Sequence, residues 1–250
     1  MTDREERFLR EHFRAEAEYG AAVSRLEAGE PLAYIIGEWY FWRQTYRVSP
    51  DVLIPRSDTE HLVEKLTCIL PENGRFLDLC TGSGCIAISS LCERPDASAD
   101  AVELYGGAAE IARLNSADNG VSDRLRIVQE DAMANGCVER LRLVNGLTDK
   151  IYDVIVSNPP YIRTDVIDTL SEQVKREPRA ALDGGKTGMD FYDMFLSVYP
   201  PLLKDGGAFL FEIGYDQADC IRAVASARGA KTCDIYKDYG GNDRVALIRF

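Results

Sequence analysis

The pattern of apolar and polar positions changes character near residue 75. Residues 3–28 carry a charged, helix-like pattern predicted to break or end near Gly20 and Gly29. A β-leaning aromatic stretch follows, Trp39-Tyr40-Phe41-Trp42, and then Thr45 to Val48, which together predict a hairpin turning near Arg43-Gln44. In the segment LIPRSDTEHLVEKLTCIL, Ser57 and Glu60 have the spacing of a capping box, so a helix is expected to start there. Leu62, Val63, Leu66, Ile69 and Leu70 give that helix one apolar face, and Pro71 and Gly74 end it.

From Arg75 onward short apolar runs alternate with helical patterns. Strands are expected near Phe76–Leu79, Ala101–Glu103, Leu125–Val128, Tyr152–Val156, Ala208–Ile213, Lys231–Ile235 and Val245–Phe250. This predicts an α/β fold, a wound, mainly parallel sheet, preceded by a short helix and β-hairpin region. The expected division is 1–72 for that region and 73–250 for the wound domain.

Composition narrows the partners. The 250 residues suit one large domain, or a catalytic domain with a small appendage, and 46% hydrophobic with 28% charged residues is ordinary for a globular chain. Lysine and arginine number 29 against 41 aspartates and glutamates, a net charge of −12. A body this acidic is repelled by phosphate backbones, and no dense basic cluster offsets it, so direct nucleic-acid binding is not expected. The seven cysteines contain no CxxC pair, which suggests buried thiols in a reducing cytosol rather than zinc or disulfides. The charged start MTDREERFLREHF is not a secretory signal, and no apolar run is long enough to span a membrane, so a cytoplasmic location is expected.

Two motifs carry candidate chemistry. The first apolar strand runs into a glycine-rich turn, Asp78-Leu79-Cys80-Thr81-Gly82-Ser83-Gly84, and a helix from Cys85. Gly82 and Gly84 allow a tight turn and close approach of a ligand. Glu103 ends the second strand, where a carboxylate commonly accepts ribose hydroxyls, and Asp131 follows the third, near the place of an adenine. Gly82-x-Gly84-x-x-Ala87 also fits a dinucleotide fingerprint, so the turn alone leaves an NAD-dependent dehydrogenase open. Asp78, placed to bind an amino group, and the absence of any need to cradle a pyrophosphate favour S-adenosylmethionine.

The second motif is Asn158-Pro159-Pro160-Tyr161, directly after the strand YDVIVS. The prolines extend the backbone, so the Asn158 side-chain carbonyl and the Pro159 main-chain carbonyl can converge on one NH2 group. Pro160 donates no N–H into that space, and Tyr161 supplies a flat face for a planar amide or base. An amide nitrogen is a poor nucleophile because its lone pair is delocalised. Two acceptors on its hydrogens return electron density to it and stabilise the charge that develops during methyl transfer. No base is needed beforehand, and neither His12 nor His61 lies near the motif.

From about Pro31 to Phe250 the chain resembles the release-factor glutamine methyltransferases, the HemK-like proteins. The resemblance is carried by PLAYIIGEWYF, VLIPRSDTEHLVE, FLDLCTGSGCIAIS, AVELYGGAAEIARLN, DVIVSNPPYI, EPRAALDGGKTGMDFY, FEIGYDQ and DYGGNDRVALI. It implies a class I methyltransferase fold, with a Rossmann-like seven-stranded sheet, and transfer of a methyl group from S-adenosylmethionine to the glutamine amide of the Gly-Gly-Gln loop in peptide-chain release factors. By motif, Cys80, Thr81, Gly82, Ser83, Gly84 and Glu103 would hold the donor, with Asp131 and Ala132 beside its adenine. Asn158 would stand between donor and acceptor, and Asn158, Pro159, Pro160 and Tyr161 would bind the glutamine. Phe41 is a candidate wall of the glutamine pocket, in competition with a hairpin core position. Pro55-Arg56 to Glu60 would close over the site, or serve only as a helix cap. Glu177-Pro178-Arg179 would order the loop beyond Tyr161, or form a solvated turn.

Two departures stand out. Cys80 occupies a position where the family often has glycine, which costs strain if φ is positive there. The family also has a longer helical region before PLAYIIGE, where about 30 residues stand here, so weaker partner docking rather than altered chemistry is expected. The alternatives are a ribosomal-protein glutamine as acceptor, an amino group of a DNA or RNA base, the dehydrogenase, and donor binding without catalysis. VLIPRSDTE favours the release-factor branch, and Asn158 to Tyr161 disfavours the dehydrogenase.

Overall fold

The computed structural model describes residues 1–250. Helix α1 (Asp3–His12) starts at a capping box in which Thr2 accepts the Glu5 N–H and Glu5 returns to the Thr2 backbone. Helix α2 (Glu16–Glu27) runs straight through Gly20, so the break falls at 13–15 and not at that glycine. Tyr19, Ala22 and Leu26 on α2 bury against Leu9 and Ile35, which offsets the roughly 1 kcal/mol that a mid-helix glycine costs. Helix α3 (Leu32–Ile36) leads into β1 (Glu38–Phe41) and β2 (Gln44–Arg47), an antiparallel hairpin. Phe41 pairs with Gln44, so the turn residues are Trp42 and Arg43, one position earlier than expected.

The capping box expected at Ser57 and Glu60 does not form. Residues Ser57–Thr59 make a 3-10 turn, and α4 (Glu60–Ile69) begins without a side-chain cap. The Glu60 carboxylate is committed elsewhere: it accepts the Trp42 N–H at 2.7 Å and so ties the hairpin turn to α4.

The seven expected strands all form: β3 (Arg75–Leu79), β4 (Ser98–Glu103), β5 (Leu125–Gln129), β6 (Tyr152–Ser157), β7 (Leu203–Glu212), β8 (Thr232–Lys237) and β9 (Asp243–Arg249). They lie in the order β5-β4-β3-β6-β7-β9-β8, parallel from β5 through β7, with β9 antiparallel to both its neighbours. The connecting helices are α5 (Cys85–Glu93), α6 (Gly106–Asp118), α7 (Asn135–Val144), α8 (Thr164–Ile167), α9 (Glu172–Lys175), α10 (Asp190–Val198) and α11 (Ala218–Ala227). β7 starts earlier than its apolar run because Leu203 already pairs with Tyr152 ahead of an irregularity in the register.

Strand residues alternate between two cores, as the two-residue period of a strand requires. Leu77, Leu79, Phe209 and Phe211 enter one cluster with Tyr192, Phe195 and Tyr199. Phe76, Ala208 and Leu210 enter the other with Phe41, Tyr46, Leu62, Val63 and Leu66. The chain leaves β3 for β4 and β5, then returns to β6 on the opposite side of β3. Ligands bind at such a switch point, in the crevice outside the carboxyl ends of the strands.

Candidate active site

Two segments face that crevice. Ser157 at the end of β6 donates its hydroxyl to the Leu79 carbonyl at 2.5 Å, which pins together the carboxyl ends of β3 and β6. The glycine turn leaves one strand and the Asn-Pro-Pro-Tyr segment leaves the other, and both border a cavity of about 310 Å³. Cys80, Thr81, Gly82, Ser83, Glu103, Asp131, Ala132, Asn158 and Pro160 line it, and Leu104, Tyr105 and Met133 add apolar surface.

In the turn, Cys80 adopts φ +59° and Gly82 φ +56°. The strain anticipated at Cys80 is therefore present, about 1–2 kcal/mol for a residue bearing a Cβ. Burial, and the charges of Glu103 and Asp78, hold its thiol well above the usual range, so it is protonated at neutral pH. Glu103 spans the cavity floor: one oxygen accepts the Gly82 N–H at 2.9 Å and the other the Tyr105 N–H at 3.0 Å. Each oxygen keeps a lone pair for a further donor such as a ribose hydroxyl. Asp131 accepts the Met133 N–H at 2.8 Å, and the Ala132 carbonyl accepts the Tyr199 hydroxyl at 2.8 Å.

Asp78 does not line the cavity. It lies on the face of β3 that packs toward α5, where Oδ2 accepts the Thr81 hydroxyl at 2.6 Å, so it braces the turn from beneath. Its Oδ1 is buried without a partner, and burial pushes the carboxyl up to about 7 against the pull of Thr81. Gly84 likewise stands behind the lining. Phe41 is 1% exposed and meets Tyr46 edge-on in the core, so the structure places it in the core alternative rather than at the pocket wall.

Asn158 is half-buried, and its Nδ2 donates to the Thr59 hydroxyl at 3.1 Å. That leaves Oδ1 as the end of the amide free to accept. Pro159 and Pro160 are buried. Tyr161 turns away from the cavity, its hydroxyl donating to Glu212 at 3.3 Å and its carbonyl accepting from Gln217 at 2.9 Å. Burial and the Glu212 charge raise that phenol further, so it stays protonated. The loop after it is clamped by Gly184, where a Cβ would fall 2.6 Å from the Tyr161 Cα and 2.7 Å from the Pro160 carbonyl.

The roof joins two distant segments. Glu177 is 5% exposed, accepts the Ile54 N–H at 3.1 Å and pairs with Arg56. Glu177 thus stitches the 52–59 strap to the 178–183 loop, and both line the cavity. Among the lining residues Asp51, Glu103, Asp131 and Asp183 stand against one basic group, Arg56. That balance suits a ligand with cationic groups and disfavours a pyrophosphate.

Sequence reasoning singled out neither Thr59, Asn115, Glu212 nor Gln217. Asn115 is fully buried and donates to the Ser83 carbonyl at 2.9 Å and the Arg47 carbonyl at 3.1 Å, fastening the hairpin to the glycine turn. The available signal was a polar residue inside an apolar run, as in FLFE at Glu212 and IARLN at Asn115.

Fold and site together define a methyltransferase. Residues 57–187 match the Methyltransferase small domain family. A methyltransferase from Pyrococcus furiosus (20% identity, TM-score 0.58, 81% of this chain and 86% of that one) shares the fold. So does a ribosomal protein L11 methylase from Lactobacillus delbrueckii subsp. bulgaricus (16%, TM-score 0.54, 81% and 83%). The release factor glutamine methyltransferase of Caulobacter vibrioides is 38% identical over 90% of this chain and 75% of its own length. That of Salmonella typhimurium is 37% identical over 91% and 78%. The chain belongs to the release factor glutamine methyltransferase family, and family and fold imply S-adenosylmethionine as methyl donor. No helix is long and apolar enough to cross a membrane.

Proposed function

We propose that this protein transfers a methyl group from S-adenosylmethionine to the side-chain amide nitrogen of the glutamine in the Gly-Gly-Gln loop of peptide-chain release factors. The observation that carries the reading is the placement of Asn158, at the rim of the donor cavity with Nδ2 engaged by Thr59 and Oδ1 left to accept.

The donor, when bound, supplies an electrophilic methyl group on a sulfonium sulfur. Glu103 would accept its ribose hydroxyls, and Leu104, Asp131 and Ala132 would flank its adenine. The main-chain turn from Cys80 to Gly84 would lie against its amino-acid end. Asp78 supports that turn rather than touching the donor. Asn158 Oδ1 and the Pro159 carbonyl would accept the two amide hydrogens of the glutamine and aim its nitrogen across the crevice. Held there, the nitrogen would be aligned to take the methyl group in place of the sulfonium sulfur, and its surplus proton would leave to solvent. Tyr161 acts through its backbone and its tie to Glu212, holding the clamp in shape.

In this reading residues 73–250 form the catalytic domain and residues 1–72 serve its release-factor partner. The two are joined through Asn115 and the shared core around Phe41. The net charge of −12 supports a protein acceptor and argues against direct nucleic-acid binding. A cytoplasmic location follows from a substrate that acts in translation termination.

The test is methyl transfer from labelled donor to purified release factor, its Gly-Gly-Gln→Gly-Gly-Ala variant, ribosomal protein and total nucleic acid. Label on release factor that vanishes in the variant is expected. Label confined to ribosomal protein or nucleic acid would overturn the acceptor, and donor binding with no label anywhere would overturn catalysis.

A further inference from the structure

Pro159 and Pro160 carry no N–H, so neither can be fastened by a main-chain donor of its own. The Pro159 carbonyl must also stay free if it is to accept from a substrate. The segment is therefore held from its two ends. At the β6 end the Ser157 hydroxyl is bonded to the Leu79 carbonyl. At the far end the Tyr161 carbonyl accepts from Gln217 Nε2 at 2.9 Å. The chain then joins the roof loop through Ile162, whose N–H donates to the Leu182 carbonyl at 3.0 Å and whose carbonyl accepts the Gly184 N–H at 2.8 Å.

Gln217 is fixed in its turn. It is 8% exposed and is the N-cap residue of α11, its own N–H donating to the Gly214 carbonyl at 3.0 Å and its carbonyl accepting the Ile221 N–H at 2.9 Å. Its side-chain Oε1 accepts the Gly214 N–H at 2.8 Å. One end of the amide thus meets a donor and the other an acceptor, so a single orientation satisfies both. Two glycines leave the space for it. At Gly188, with φ +73°, a Cβ would fall 2.4 Å from the Tyr161 carbonyl oxygen and 2.7 Å from Gln217 Nε2. At Gly214 one would fall 3.1 Å from Gln217 Cδ and Oε1. Gly214 lies just beyond β7, the strand that pairs with β6. The amide therefore carries the chain leaving β6 on the chain leaving β7.

We propose that Gln217 is a positioning residue: by holding the Tyr161 carbonyl against the exit of β7, it sets where Asn158 and the Pro159 carbonyl stand for the methyl-accepting nitrogen. This rests on the reading of Asn158 and Pro159 as the acceptor clamp. Asn158 and Pro160 line the donor cavity, whereas Tyr161 and Gln217 do not, so Gln217 acts on the transfer step and not on donor binding.

Gln217→Glu separates this role from packing. A carboxylate of the same shape still accepts the Gly214 N–H but sets a second acceptor against the Tyr161 carbonyl. Turnover is read per donor-binding site, with sites counted by calorimetric titration of S-adenosylmethionine, so that unfolded protein does not enter. In Gln217→Glu kcat per site should fall at least about tenfold while donor Kd stays within about twofold. Nitrogen–proton NMR of the full chain reads the clamp itself, with the Asn158 side-chain signals identified by their loss in Asn158→Ala. These signals should move in Gln217→Glu and stay in place in Asp219→Ala, a fully exposed neighbour on α11. A merely structural role would reduce the number of donor-binding sites and leave kcat per site unchanged. That result, or Asn158 signals unmoved in Gln217→Glu, would overturn the proposal. The wild type decides it even if the variant does not fold: the Gln217 side-chain hydrogens should be protected from exchange, and protection no greater than that of exposed Gln173 would overturn it. A wild type that methylates no release factor, while the Asn158 signals still follow Gln217→Glu, would sink the acceptor assignment and leave the brace standing.

Discussion

Replacing Glu177 by alanine should open the roof of the donor cavity. Its side chain is the one bond between the strap and the 178–183 loop that is almost wholly shielded from water, 2% exposed at the carboxyl end. Removal strands the Ile54 N–H in a residue that is itself 6% exposed. A buried donor without a partner costs about 1–3 kcal/mol. Arg56, at 37% side-chain exposure, regains water and adds at most about 1 kcal/mol. The strap keeps its other anchor, the Tyr34 hydroxyl on the Val52 carbonyl at 2.7 Å, with Val52 and Ile54 packed among Ala33 and Val48. The loss should therefore appear mainly as a roof that no longer closes rather than as global unfolding. About 2 kcal/mol of lost closure weakens donor binding roughly 30-fold, while the melting temperature falls by only a few degrees, about 2–4 °C per kcal/mol for a chain of this size. Glu177→Gln keeps a carbonyl for Ile54 and loses only the charge, so it should stay within about fivefold of the wild type. Titration calorimetry with S-adenosylmethionine, paired with thermal melts, measures both. Donor affinity within twofold of wild type in Glu177→Ala would refute the assignment of Glu177 as the clasp.

Four further outcomes are expected. Asn158→Ala should leave donor Kd nearly intact and remove most turnover in the labelled-methyl assay; unchanged turnover rejects the acceptor role. Glu103→Ala should weaken the donor by on the order of tenfold to a hundredfold, the worth of hydrogen bonds to a charged group, and calorimetry checks it. Asp78 has its folded-state carboxyl raised from 3.8 to about 7, so its contribution to stability is present below the lower value and lost as pH rises through the upper one. Denaturant unfolding should accordingly show Asp78→Asn gaining on the wild type from about pH 4 to 7, by up to on the order of 4 kcal/mol; a constant difference would be the wrong result. At Cys80, relief of the positive φ and the extra chain entropy of glycine nearly cancel, so Cys80→Gly should unfold within about 1 kcal/mol of wild type. The branched Cys80→Val should lose more than about 2 kcal/mol at the same position.

The sequence by itself determined the order of elements and the two ligand-bearing turns. Apolar runs of strand length alternating with helical periods suffice for a wound sheet, and all seven strands lie where those runs fall. Glycines after the first strand and the two prolines after YDVIVS act on their own backbone, so their effect is local and readable. Errors occurred where a side chain had more than one possible partner. Glu60 looked like the closing member of a cap, but a Trp42 N–H from the hairpin took its carboxylate. Phe41 stood open between a pocket wall and a hairpin core position and packs in the core, while Asp78, expected at the donor's amino group, bonds Thr81 beneath the turn. What only the tertiary structure decided is pairing across distance: Glu177 with Ile54, 123 residues away, and Thr59 with Asn158, 99 residues away. A hydrogen bond carries no periodicity along the chain, and its partner is fixed only when the sheet brings strap, loop and strand ends to the same crevice.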